Sequence, residues 1–337
     1  ICMCTCLKIK AKDSSVVVAR TMEFGVELDS KMTIFPRGYK YKGSAPSEKI
    51  GLEWEGEYGF VGMDAMGLPY VSDGLNEAGL YVGDLLLPGF AQYQDVPEGE
   101  EVNSLAPLDV AGYLLSTCQN VAEAKEAIKK VFVWAMNVPQ LSGVLPLHFA
   151  VHDTWGNSAV FEYVKGELNI VDNPLGVLTN SPYFDWHMIN VRNFVNLSAN
   201  NIPDLKLKGD DVVPIGQGSG MLGLPGDSTP PSRFVRAVAL TQSVLEAQNA
   251  EEATKNAFHV INNFDIPKGF VREERKGQMT YDYTSWLTIS NLKEKIYYYR
   301  GYDNMKFYRV KLADIDFSAS DIRRLDTTNS DWFEEIS

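Results

Sequence analysis

The chain has 337 residues, 45% of them hydrophobic and 22% charged, with a formal net charge of −13. That length carries one large domain or two small ones around a buried core, and no stretch of about 18 apolar residues predicts a transmembrane helix. The acidic balance repels phosphate backbones, so neither nucleic acid nor a membrane is an expected partner.

In chain order, residues 4–10 and 16–22 are β-rich runs joined by "AKDSS", which predicts a hairpin. Strand-like runs continue through "KMTIFPRG", "YGFVGMDA", "PYVSDGLNEAGLYVGDLLL" and "LPLHFAVHDTWGNSAVFEYV", the last two broken by the turn signals "NEAG" and "DTWGN". Helices are predicted over 105–117 and 121–131, the second with Val121, Ala124, Ala127, Ile128 and Val131 at helical spacing. Two more are predicted over 231–247 and 250–262; Pro230 and Pro231 suit a helix start, and Ser232 is a candidate for the cap. The tail returns to strands at "TYDYTSWLTISNLKEKIYYYRGYDN" and "KFYRVKL". Runs of strands with helices in pairs between them predict an α+β fold with antiparallel sheets covered by helices, in one domain. The one long irregular segment is "VVPIGQGSGMLGLPGDSTPPSRF".

Few patterns here carry chemistry. His148 and His152 share one face of one strand, but no third ligand accompanies them, so hydrogen-bonded core histidines and no metal are expected. "GQGSG" lacks the Lys-Ser/Thr ending of a phosphate loop, and there is no G-x-S-x-G elbow. Three of the four cysteines fall in the first six residues, and Cys2, Cys4 and Cys6 alternate so that their side chains share a face. They are either small residues filling a strand, thiolates around a metal, or the source of a nucleophile. A nucleophilic thiol needs a base, and no histidine is near in sequence. If the cysteine is itself the first residue, its α-amine, with a pKa of about 7.7–8.0, serves. Closing the hairpin about Asp13–Ser14 pairs position 4 with position 23, which sets Glu23 opposite Cys4 and gives Arg20 the other parity, so that Arg20 reaches the same site only through a bulge.

At these residues the chain resembles a known family. "CTCLKIKAKDSSVVVARTMEFG", "SKMTIFPRGYKY", "YGFVGMDA", "SDGLNEAGL", "GVLTNSPYFDWH", "GQGSGMLGLPGDSTPPSRFVRA" and "NFDIPKG" together are similar to the penicillin V acylase and choloylglycine (conjugated bile-salt) hydrolase family of N-terminal-nucleophile hydrolases, in order and over nearly the whole chain. The resemblance implies a four-layer αββα sandwich of two antiparallel sheets flanked by helices, no cofactor, and a homotetramer. It implies Cys4 as nucleophile with its released α-amine as base, and Arg20 as the cation beside the thiol. Glu23 falls where better-known members have Asp. Asn180 matches the side-chain donor of the oxyanion hole and Arg233 the second arginine of the site. Leu86 falls where penicillin V acylases have Tyr and bile-salt hydrolases Asn, and its backbone N–H would be the second oxyanion donor. The plainer readings make Arg20 and Arg233 surface ion-pair partners, Asn180 a turn residue and Glu23 a solvated strand end.

The expected activity is hydrolysis of linear, non-peptide amides, closest to a penicillin V acylase, on a small molecule whose apolar acyl group packs on Phe24 and Leu86. Bile-salt hydrolysis and N-acyl homoserine lactone cleavage are the alternatives. A catalytically silent binding protein with the cysteine left unprocessed is the alternative from another class. Residues 1–3 read as a residual leader or propeptide ahead of a domain spanning 4–337, whose retention would block the amine. Ile1 as first residue points to a trimmed export signal, hence a periplasmic or secreted protein.

Overall fold

Two strands covered on both faces organise the structure. In the computed structural model, which describes residues 3–139, 143–275 and 277–326 with 333, 335 and 336, these are β1 (Met3–Lys10) and β2 (Val16–Phe24). Ile1 and Cys2, and with them most of the expected leader, lie outside the described residues. Every β2 residue except Phe24 is buried, which is why its first four residues, Val16 to Ala19, are apolar without alternation.

The hairpin joining them corrects the expected register by one residue. Met3 pairs with Glu23, Cys4 with Met22 and Cys6 with Arg20. The turn is an odd-numbered loop. Ala11 N–H donates to the Ser15 carbonyl at 2.9 Å, and Ser14 adopts a φ of 67°. A three-residue loop that ends in a left-handed residue is a common hairpin closure. A slip of one residue exchanges the faces of a strand. Arg20 therefore lies on the same face as Cys4 with no bulge in this hairpin, and Glu23 lies on the opposite face.

The next strands are β3 (Met32–Phe35), β4 (Phe60–Asp64), β5 (Val71–Asn76) and β6 (Tyr81–Leu86). Helices α1 (Asp109–Thr117) and α2 (Val121–Ile128) follow, then β7 (Leu147–His152), β8 (Ser158–Val164) and β9 (Glu167–Asp172). After α3 (Phe184–Asn190), α4 (Pro230–Ser243) and α5 (Ala250–Ile261), the chain returns to β10 (Val271–Arg275), β11 (Gln278–Asn291), β12 (Ile296–Gly301), β13 (Tyr308–Lys311) and β14 (Arg323–Arg324).

One sheet runs β1-β2-β11-β12-β13 with β10 on β11; the other runs β9-β8-β7-β6-β5-β4-β3-β14. The pairings in both are antiparallel. Helices α4 and α5 pack on β1 and β2, while α1 packs on β5 and β6. Between the sheets, Cys4, Cys6, Val16, Val18 and Met22 meet Leu75, Leu85, Ala150 and Val160. On the far side of the second sheet, Phe149, Val151 and Phe161 meet Leu114, Leu115 and Val121. The order helices, sheet, sheet, helices is an αββα sandwich.

Helix α1 begins at Asp109 rather than 105. Ser104 and Leu105 instead pair with Phe132 and Val133, Pro107 disfavours helix at the residue before it, and the Asp109 carboxylate accepts from Ala106 N–H at 3.1 Å. Asn120 and Asn249 cap α2 and α5 by accepting from Glu123 and Glu252 N–H. Helix α4 starts at Pro230, one residue before the expected 231, and Ser232 donates to Asp227 rather than capping the backbone. It stops at Ser243 rather than 247; Val244 is extended, and in the linker beyond it Ala247 accepts from Lys12 N–H at the hairpin turn.

Candidate active site

The outer edge of β1 is where the candidate residues meet. Cys6 and Leu178 exchange backbone hydrogen bonds of 2.8 and 2.9 Å, so the segment leading to Asn180 runs antiparallel to β1. Two residues further along both, the backbone N–H of Cys4 donates to Asn180 Oδ1 at 2.8 Å. Arg233 reaches in from the first turn of α4: Nη2 donates to Asn180 Oδ1 at 2.6 Å, and Nη1 donates to Thr5 Oγ1 at 2.9 Å and to the Cys4 carbonyl. With its oxygen turned to these donors, Asn180 points Nδ2 at the Leu86 carbonyl, 2.7 Å away. A primary amide has two N–H donors, so one remains for a substrate oxygen.

Arg20 projects between the sheets beside the thiol. Its Nη2 lies 3.8 Å from Cys4 Sγ and 3.3 Å from Asp84 Oδ1, and also donates to the Asp84 carbonyl; Nη1 donates to the Ser72 carbonyl at 2.6 Å. The guanidinium carbon stands 5.2 Å from the centre of the Trp286 ring, in cation–π range. Glu23, on the helix side, accepts from Thr284 Oγ1 at 2.8 Å. Arg20, Glu23, Asn180 and Arg233 are all at most 1% exposed, which removes the surface and solvated-strand alternatives for them.

Burial dominates the electrostatics. It pushes the Cys4 thiol up to about 11, with Arg20 pulling the other way and Glu23 adding to the rise. It raises Glu23 to about 7 against the attraction of Arg233, and lowers Arg233 to about 10, still a cation at neutral pH. Burial also works against the charge on Arg20, but Cys4, Asp73 and Asp84 outweigh it and hold Arg20 well above the usual range. With a peptide bond still on its nitrogen, Cys4 is therefore a protonated thiol beside a fixed cation.

The thiol opens on a small cavity of about 30 Å3, lined by Met22, Phe24, Leu28, Leu85, Leu86 and Leu145 among others. Met22 Sδ sits 3.7 Å from Cys4 Sγ. Phe24 and Leu86 thus both border the thiol's cavity. Leu28 also lines a wider groove of about 350 Å3 whose other wall carries Tyr283, Trp286 and Tyr302.

Cys6, on the same face as Cys4, lies 3.8 Å from His152 Nε2 and 3.9 Å from the Tyr81 hydroxyl. Cys2, the third thiol of the expected set, lies outside the described residues. His148 and His152 are core histidines: His148 bonds Glu162 Oε1 and the Thr179 carbonyl, and His152 bonds Ser158. Among the described residues no group of three or more His, Cys, Asp or Glu side chains is placed to hold a metal ion.

Three supporting residues escaped the sequence reading. Asp84 and Tyr70 border the thiol's cavity, with the Tyr70 hydroxyl donating to Asp84 Oδ2 at 2.5 Å. His187, in α3, bonds the Asn180 carbonyl at 2.8 Å and stacks on Phe234. Asp84 had a signal available, being a carboxylate inside the otherwise apolar strand run "LYVGDLLL". His187 closes the word "GVLTNSPYFDWH", but the helix that carries it was not predicted, so nothing directed it back to Asn180.

A family model described as linear amide C–N hydrolases, choloylglycine hydrolase family, matches residues 4–328. The bile salt hydrolase/transferase of Clostridium perfringens (strain 13 / Type A) is 31% identical over 327 residues, covering 95% of this chain and 96% of that protein. The penicillin V acylase of Pectobacterium atrosepticum is 26% identical over 326 residues, covering 90% and 78%. A crystal structure of a variant of the conjugated bile acid hydrolase from Clostridium perfringens aligns with a TM-score of 0.84 at 29% identity, covering 96% of this chain and 97% of that one.

Proposed function

Since the chain belongs to the choloylglycine hydrolase family of linear amide C–N hydrolases, we propose that Cys4, freed of the residues before it, is the nucleophile of a penicillin V acylase-like amidase. The observation that carries this reading is the convergence of one residue's sulfur and nitrogen on the rest of the set: Cys4 Sγ lies beside Arg20, and Cys4 N lies on Asn180, which Arg233 holds.

Cleavage before Cys4 turns its amide nitrogen into an amine. That amine takes the thiol proton, and the thiolate attacks the substrate carbonyl carbon, forming the C–S bond while the carbonyl electron pair moves onto oxygen. The spare N–H of Asn180 and the Leu86 backbone N–H stabilise that oxyanion; one such donor is worth about 2.7–4 kcal/mol of barrier. Collapse breaks the C–N bond, and the leaving amine collects the proton from the Cys4 ammonium. Water, deprotonated by the same amine, then cleaves the thioester and restores the thiol. Glu23 holds the ammonium by charge, and Arg20 favours the thiolate.

The substrate of this reading is a small amide with an apolar acyl group seated among Met22, Phe24, Leu85, Leu86 and Leu145. A cavity of about 30 Å3 takes little more than a water, so an acyl group enters only when Met22 or Leu28 turns aside. Turning Leu28 joins the cavity to the wider groove, which gives a longer substrate room. Bile-salt hydrolysis is the second reading, favoured by the 31% identity to a bile salt hydrolase/transferase. Assembly as a tetramer belongs to the same family-based reading and is measured by light scattering. The test is turnover of penicillin V, glycocholate and N-acyl homoserine lactones by protein whose first residue is Cys4, against protein that retains Met3. Activity only in the first, with release of the free amine, supports the proposal; equal activity in both overturns it.

A further inference from the structure

We propose that Asp84 is a positioning residue that governs, through Arg20, how much positive charge reaches the Cys4 thiol, and so sets the pH at which that thiol ionises. The proposal rests on the reading of Cys4 as nucleophile. The geometry is a shared donor: Arg20 Nη2 faces Cys4 Sγ at 3.8 Å and Asp84 Oδ1 at 3.3 Å, and the ion pair is almost wholly buried. The neighbouring carboxylate, Asp73, is already occupied by Thr288 and Tyr297 at 2.5 Å each and by Tyr81 at 3.3 Å. Asp84 is held in turn by Tyr70, whose hydroxyl takes the second carboxylate oxygen.

Two anions thus compete for one cation. While Asp84 is ionised it offsets the guanidinium, and a thiolate at Cys4 gains little from Arg20. When Asp84 takes a proton, the thiolate becomes the partner of that charge. Burial raises Asp84 to about 6, with Arg20 and Tyr70 opposing, so wherever the thiol ionises Asp84 is already the anion that holds the guanidinium. The ionisable groups facing Asp84 are Arg20, Tyr70, Asp73 and, more distantly, Tyr93. Those facing the thiol are Arg20, Glu23, Asp84 and Cys6, with Arg233 on the helix side.

The experiment follows alkylation of Cys4 by iodoacetamide from pH 6 to 11, resolved from Cys6 and Cys118 by peptide mass spectrometry, in the parent, Asp84→Asn and Tyr70→Phe. Asp84→Asn keeps an oxygen for Arg20 and removes the charge. Its midpoint is expected to fall by about one pH unit or more, which makes alkylation about tenfold faster at any pH below both midpoints. Tyr70→Phe leaves Asp84 ionised at the pH where the thiol titrates and frees its second oxygen for Arg20, so its midpoint is expected to rise, and it carries the test if Asp84→Asn does not fold. Superimposable profiles, or a rate lowered uniformly without a moved midpoint, overturn the proposal. If the midpoint moves but protein beginning at Cys4 cleaves no amide, the nucleophile reading fails alone; if that protein is active while the midpoint is unmoved, only the role of Asp84 falls.

Discussion

Asp84 and Cys4 face each other across one guanidinium group: the same Arg20 nitrogen lies 3.3 Å from the carboxylate and 3.8 Å from the sulfur. The site is therefore built as a charge balance within a closed interior, where each added or removed charge is felt strongly because little water screens it.

Cys4→Ala is expected to lower kcat/KM at least about 10³-fold, since no second thiol borders the cavity among its described lining residues. Thermal unfolding should stay cooperative, because Ala fits a strand position buried on both faces. Amidase assay and calorimetry on the same preparation check both halves, and residual turnover above a few per cent would point to a different nucleophile.

Asn180→Ala is expected to cost about 10²–10³ in kcat through loss of the oxyanion donor. It also strips the acceptor from Cys4 N and from Arg233, so Asn180→Asp is the useful companion. That variant keeps the acceptor while losing the N–H that donates to Leu86. Steady-state kinetics should find both variants impaired chiefly in kcat. A change confined to KM would mean that Asn180 binds substrate without stabilising the transition state.

Glu23→Gln separates stability from activity in the form that retains Met3. Glu23 is raised from 4.5 to about 7 by burial, so its contribution to stability is fully present below about pH 4.5 and is lost as pH rises through about 7. The variant has no such loss. Its stability relative to the parent should grow from near zero at pH 4.5 to on the order of 3 kcal/mol at pH 8. Urea titrations at the two pH values measure this; a pH-independent difference would mean that Glu23 stays charged. In protein beginning at Cys4, the same change should lower activity by removing the anion that holds the ammonium.

Leu28→Ala joins the thiol's cavity to the groove bounded by Tyr283 and Trp286. kcat/KM for amides with bulky acyl groups should rise about 10-fold relative to short ones, in keeping with the modest energy of one apolar contact. An unchanged ratio across a series of acyl lengths would show that substrates approach from another side.

Local chemistry along the chain determined a good deal. The β-rich runs over 4–10 and 16–22 marked a hairpin, Pro230 and Pro231 marked a helix start, and the words around Cys4, Arg20, Asn180 and Arg233 marked one family. The hairpin register was decided elsewhere. Whether the loop holds two residues or three is a matter of the Ser14 backbone and of packing on both faces, and that choice put Arg20 rather than Glu23 on the thiol's side. Only the tertiary structure brought Asp84, with Tyr70 bonded to it, to Arg20, since that contact crosses between strands distant in sequence. Propensity and periodicity act over a few residues, whereas a buried charge finds its partner only when two sheets close on each other and exclude the water that would otherwise solvate it.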